Sequence, residues 1–236
     1  MRKALRTIAF KGFGLLVLLT AACLARAQDA KTPYPSMAPL EQYLMERNTE
    51  IALARSAAAQ PITGDADVMV LGKHGYETVV RGKNGFVCMV QRSWAAGFDD
   101  PEFWNPKLRS PICFNPPGAR SYLPLILKKT DLVLAGRSIP QMIEAIGAAI
   151  NKKELPGMEP GAMGYMLSKQ GYLSDRDGHW HPHLMFFTPL TDPLAWGAGL
   201  PASPVLGFKD DPARLTVFLI PVGKWSDGTA DHAAEN

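Results

Sequence analysis

The sequence predicts a single α+β domain with a mostly antiparallel sheet, an N-terminal helix, and two or three further helices packed on it. Three observations point there. Most apolar, strand-like runs that are adjacent in sequence are separated by tight Gly-rich turns, which favours antiparallel neighbours. Helical periodicity is confined to one early stretch and one middle block, so the strict βα alternation of a parallel sheet is missing. The 20 prolines of the 236-residue chain predict many ordered loops, and the Pro/Gly stretch 154–161 is too short to divide the domain.

Residues 1–27 have the three zones of a cleaved secretory signal. Arg2, Lys3, Arg6 and Lys11 form a basic start with no acidic residue, 12–24 is almost wholly apolar, and Ala25-Arg26-Ala27 is a small-x-small cleavage site. The apolar run of roughly 13 residues is short of the ~20 that a membrane helix needs, and no later stretch is long enough either. Cys23, after Thr20-Ala21-Ala22, offers lipidation as the minor alternative. The expected location is periplasmic or secreted.

Cleavage changes the charge and the cysteine count. The full chain carries 25 basic and 22 acidic residues; losing five basic ones with the signal leaves 20 against 22. The basic excess belongs to the signal, and no clustered Lys/Arg face suggests a nucleic-acid partner. Cys88 and Cys113 remain. In an oxidising compartment such a pair predicts a disulfide around a loop of about 25 residues that is rich in Trp and Pro.

Along the mature chain, 28–36 reads as a flexible lead-in and 37–225 as the domain, with 226–236 as a disordered tail. Leu40, Tyr43, Leu44, Ile51 and Ala54 recur at helical spacing over 37–59, and Gln60-Pro61 ends that pattern. A short strand is expected over 67–71. Strands over 76–81 and 86–92 form an expected hairpin around Gly82-Lys83-Asn84-Gly85. Pro116-Pro117 can open a helix, Pro124 predicts a kink or break within 119–134, and Ser138 with Gln141 predicts a capping box for a second helix. Strands are then expected over 163–173, 179–187 and 215–222, with a Pro/Gly-rich loop over 189–212.

The chemistry-bearing segment is 165–187, YMLSKQGYLSDRDGHWHPHLMFF. Asp177-Gly178 reads as the turn of a hairpin, with a two-residue loop at 177–178 or a four-residue loop at 175–178. Alternation along the second strand then places His179, His181, His183 and Met185 on one face, with Ser174, Tyr172, Gln170 and Ser168 beside them on the first. Trp180, Leu184 and Phe186 would face the core. Histidines at i and i+2 lie ~6.5–7 Å apart at Cα, close enough to chelate one ion. Two of the three, with a distant ligand from His74, His232, Asp175 or Asp177, would suit zinc or copper, and Met185 or Met166 would tilt the choice towards copper.

Two other functions are open to the same residues. A non-catalytic periplasmic module would take a small ligand or a protein partner in an apolar pocket built from the Trp/Pro loop, including Trp94, Phe98, Phe103 and Trp104. A hydrolase would use Ser168 or Ser174 with a stripe histidine, although no Gly-x-Ser-x-Gly elbow is present. Tyr165-x-x-x-Lys169 lacks a dinucleotide-binding turn, and the Asp175–Gly178 run lacks the downstream Glu of a calcium loop. The stretch 161–187, together with Gly82-Lys83-Asn84-Gly85-Phe86-Val87-Cys88, resembles a family of short exported bacterial proteins. That resemblance implies a bacterial, exported, single-domain protein and supplies no catalytic residue.

Overall fold

A computed structural model describes residues 33–176, 178 and 180–231. The signal segment, Asp177, His179 and His232 therefore lie outside the described residues. Eight strands form one sheet: β1 (Asp67–Gly72), β2 (Gly75–Val80), β3 (Val87–Gln91), β4 (Ser110–Phe114), β5 (Met163–Met166), β6 (His183–Pro189), β7 (Leu206–Asp210) and β8 (Leu215–Pro221). Their order is β2-β1-β3-β4-β5-β6-β8-β7, antiparallel throughout except where β1 runs parallel to β3. Among the described residues five α-helices accompany them: α1 (Arg47–Arg55), α2 (Gln60–Thr63), α3 (Pro116–Ser121), α4 (Leu123–Leu134) and α5 (Ile139–Asn151). The expected α+β architecture is thus the observed one. Among the described residues no helix is long and apolar enough to cross a membrane.

Strand alternation sorts the core into two layers. Val68, Cys88, Val90 and Cys113 meet Leu53, Ala54, Ala57 and Ala58 from α1 and the turn after it. Their sequence neighbours Met69, Met89, Ile112 and Phe114 point the other way, onto Leu123 and Ile126 of α4 and Met142 and Ile146 of α5. Cys88 and Cys113 are direct partners in the β3–β4 register and form the expected disulfide.

Local signals fix the helices. The predicted 37–59 helix is divided, because the Glu46 side chain accepts from the backbone N–H groups of Asn48 and Thr49 and so begins α1 afresh. Among the described residues a single 3₁₀ turn, Leu40–Gln42, precedes it. Pro61 does more than end α1: it sits in the first turn of α2. The break expected at Pro124 separates α3 from α4 at Tyr122, and the Ser138/Gln141 capping box opens α5 as expected.

Strand pairing departs from the sequence reading in four places. β2 and β3 are not a hairpin; β1 lies between them, joined to β2 by the tight Lys73-His74 turn. The 82–85 turn instead crosses the start of β1, where Lys83 and Asn84 donate to the Asp65 carbonyl and Asn84 Nδ2 donates to the Ile62 carbonyl. β4 was hidden in the Trp/Pro loop by Pro111, which pairs with Val90 although proline cannot donate to a ladder. β7 lies inside the expected 189–212 loop. The strands expected over 163–173 and 179–187 shorten to β5 and β6, so a long loop joins them.

Candidate functional site

β5 and β6 pair antiparallel, but with Met166 opposite His183 rather than Tyr172 opposite His183. The register is displaced by six residues, and the expected tight hairpin at Asp177-Gly178 becomes a small turn within the 167–182 loop, closed by the Ser174–Gly178 bridge. Strand alternation starts only at His183, because Pro182 ends the regular pairing. His181 therefore does not share a strand face with His183.

The two described histidines of the stripe occupy different environments. His183 is 2% exposed and lies on the same strand face as Met185 and Phe187, which pack into the core. The expected solvent or cleft face is thus the buried one. Burial pushes the His183 pKa down to about 4, so the ring is neutral near neutral pH. Its Nδ1 lies 2.7 Å from the carbonyl oxygen of His181. A carbonyl only accepts, so Nδ1 carries the proton and Nε2 presents a lone pair.

His181 is turned towards the C-terminal segment. Its Nδ1 lies 2.6 Å from Oδ2 of Asp231, whose side chain is buried while that of His181 remains 36% exposed. The carboxylate accepts from Nδ1, so Nε2 is the ring nitrogen of His181 not engaged with Asp231. Asp231 is held by its own backbone, donating to the Gly223 carbonyl, and Ser226 donates to the Leu167 carbonyl. Residues 226–231, expected in a disordered tail, are thus part of the fold. Sequence reading missed Asp231 because nothing local couples it to a histidine 50 positions away.

Trp180 was expected on the core face, away from the histidines. It lies beside both instead, with ring centroids 5.9 Å from His181 and 5.0 Å from His183. Together with His183, Met166, Ser168, Pro111, Gly171 and Leu173 it lines a cavity of about 10 Å³, near the minimum that holds one water molecule.

The other expected site residues disperse. Ser168 lines the cavity, but its hydroxyl meets Ser56 Oγ at 2.6 Å and accepts from Gln170 N–H. Because Ser56 already donates to the Leu53 carbonyl, the Ser168 proton goes to Ser56 and not to an imidazole. That geometry removes Ser168 as a histidine-activated nucleophile. Gln170 is exposed. Tyr172 pairs with Arg109 and donates to Asp175, away from the histidines. Ser174 bridges to Gly178, and Met185 stands opposite Gly164 and Leu219.

Neither described distant ligand reaches the histidines. His74 is in the β1–β2 turn, four to five strand steps from β6 and so ~19–24 Å away across the sheet. Asp175 accepts hydrogen bonds from Tyr34, Tyr172, Lys107 and Asn105, which hold its carboxyl well below the usual carboxylate range. Among the described residues no three His, Cys, Asp or Glu side chains gather as a metal-binding set.

The Trp/Pro loop is mostly core. Trp94 is fully buried and donates through Nε1 to Thr130 Oγ1, and Phe98 and Phe103 are buried beside it. Trp104 faces a pocket of about 380 Å³, shared with Met37, Val133, Arg137 and Ile139, and the edge of Phe98 lines another of about 310 Å³ with Ile143 and Lys209. No known protein family, curated protein or solved structure matches the chain.

Proposed function

We propose that the chain is an exported protein, periplasmic or secreted, that binds a transition-metal ion through the imidazoles of His181 and His183. The observation that carries this reading is the pair of Nδ1 hydrogen bonds, to the Asp231 carboxylate and to the His181 carbonyl. Each fixes a ring in the tautomer whose Nε2 can coordinate, and an acceptor behind a ligating histidine raises its basicity. Zinc and copper are the ions that imidazole suits. The tripartite N-terminus supports export, as does the Cys88–Cys113 disulfide, a bond that persists in oxidising compartments.

The test is metal analysis of protein purified from the periplasm without a histidine tag, with N-terminal sequencing of the mature chain. The expected result is near-stoichiometric zinc or copper on a chain beginning at Gln28, with the metal lost in His181→Ala and His183→Ala. Trace metal that neither substitution alters sinks the reading.

A second reading has its own observation, the 380 Å³ pocket beside Trp104. Its size lies in the range of small-ligand sites. A binding module of this kind predicts uptake of a small apolar ligand that Trp104→Ala abolishes and His181→Ala leaves intact.

A further inference from the structure

We propose that the bound ion is copper(I), held by Nε2 of His183 and the thioether of Met166 against the indole of Trp180. This inference rests on the metal-binding reading above, names its ion, and adds Met166 beside His183 as a ligand. Met166 and His183 are direct partners in the β5–β6 register. Directly opposed residues of an antiparallel pair project to the same face with Cβ atoms ~5 Å apart. Both line the 10 Å³ cavity, and Trp180 forms another wall.

The donor set selects the ion. His183 Nδ1 is committed to a carbonyl, and among the described residues nothing hydrogen-bonds to its Nε2. The Met166 thioether has no proton to lose and is a soft donor. Ser168, the one hydroxyl in the cavity wall, is committed to Ser56 and Gln170. Zinc asks for about four nitrogen, oxygen or thiolate ligands, and beside His183 no second uncommitted donor of that kind stands in this cavity wall. A histidine nitrogen and a thioether sulfur suit a soft monovalent ion that accepts low coordination.

Electrostatics favours the same choice. Both ligands are uncharged, and no charged side chain in the cavity wall compensates the ion. The Born cost grows with the square of the charge, which makes a divalent ion about four times as costly as a monovalent one in the same cavity. The Trp180 ring, 5.0 Å from the His183 ring, offers its electron-rich face to a cation held between them. Pro111, Gly171 and Leu173 complete a wall with no side chain that could hydrate the ion.

The test is an anaerobic titration of the tag-free mature chain with copper(I), in competition with bicinchoninate, beside a zinc titration. One equivalent of copper(I) is expected to bind. X-ray absorption of selenomethionine-labelled protein should show a copper–selenium path. Met166→Leu, close to isosteric, should remove that path and weaken copper(I) binding roughly tenfold or more, with the zinc affinity and the melting curve unchanged. Copper(I) binding without the selenium path, or unaffected by Met166→Leu, overturns this inference. Zinc or copper(II) bound at the histidines with no copper(I) uptake overturns it too, and leaves the metal-binding reading standing. Failure to bind any of the three ions overturns both.

Discussion

The Glu50 carboxylate and the Arg92 guanidinium meet at 2.9 Å in the interior, with neither side chain more than 1% exposed. Glu50 Oε1 also accepts from the Leu71 N–H, tying α1 to β1. Arg92 holds the carbonyls of Tyr43 and Val90 through Nε and one terminal nitrogen. Removing one partner leaves the other charge buried and uncompensated, which costs about 3–5 kcal/mol. Arg92→Met should therefore lower the urea midpoint by that equivalent, whereas Glu50→Leu/Arg92→Met should recover much of the loss. Recovery will be incomplete, because the Tyr43 carbonyl loses the Arg92 donor, whereas the Val90 carbonyl keeps the Tyr76 hydroxyl. A double variant no more stable than the single one contradicts this account.

The Cys88–Cys113 bridge joins directly paired residues of β3 and β4 beneath Leu53, Ala54 and Ala57. Its loop-closure effect on the unfolded chain is about 3 kcal/mol. Cys88→Ala/Cys113→Ala should lose that much in chemical denaturation. Because both sulfurs are fully buried, mild reductant should act on the folded wild type only at the rate at which β3 and β4 open.

These two pairs mark how far the sequence was legible. The disulfide followed from cysteine count and compartment, and the α5 capping box from residues three apart; both signals are local or nearly so. The Glu50–Arg92 pair was not legible, since Glu50 sits on the buried side of α1 for a partner 42 residues away. Strand existence was largely readable from apolar runs, but partners were not. The 82–85 turn has hairpin chemistry, yet β1 offered β2 a tighter connection and β3 a parallel edge. At the candidate site the residue types were legible and the register was not. Pro182 stopped the alternation on which the stripe of three histidines depended, and Asp231 came from a segment with no periodicity.

Two glycines should respond oppositely to alanine. A Cβ on Gly82 would fall 2.1 Å from the Asp65 carbonyl oxygen and 2.5 Å from the Ala66 carbonyl carbon, both backbone atoms that cannot swing aside. The turn would have to lift, losing the Gly82 N–H bond to Asp67. Gly82→Ala should cost on the order of 2–4 kcal/mol. In α5, a Cβ on Gly147 meets nothing within 4 Å, so Gly147→Ala should add about 0.5–1 kcal/mol through helix propensity. Paired thermal melts check both signs.

Asp231 should matter to the metal more than to the fold. Its carboxylate orients His181, while its backbone bond to Gly223 survives a side-chain change. Asp231→Ala is expected to weaken metal binding by about 10- to 100-fold, the usual effect of losing the carboxylate behind a ligating histidine. Isothermal titration with zinc or copper reads this directly. An unchanged affinity would detach His181 from the site.

The metal-free protein should be acid-sensitive through His183. Its folded pKa of about 4 lies below the ordinary histidine value of 6.5 because burial disfavours the charged ring. Between those two values the unfolded chain binds the proton that the folded chain refuses. Stability is therefore full above about pH 6.5 and falls as the pH drops towards 4, levelling off below. A shift of that size corresponds to about 3 kcal/mol. Carboxylates titrate in the same interval, so the informative quantity is the difference between wild type and His183→Gln, a neutral side chain at every pH. The wild type should lose stability relative to His183→Gln by up to about 3 kcal/mol between pH 6.5 and 4 in urea unfolding. Parallel pH profiles would mean that the imidazole takes up its proton without leaving its place beside Trp180 and Met166.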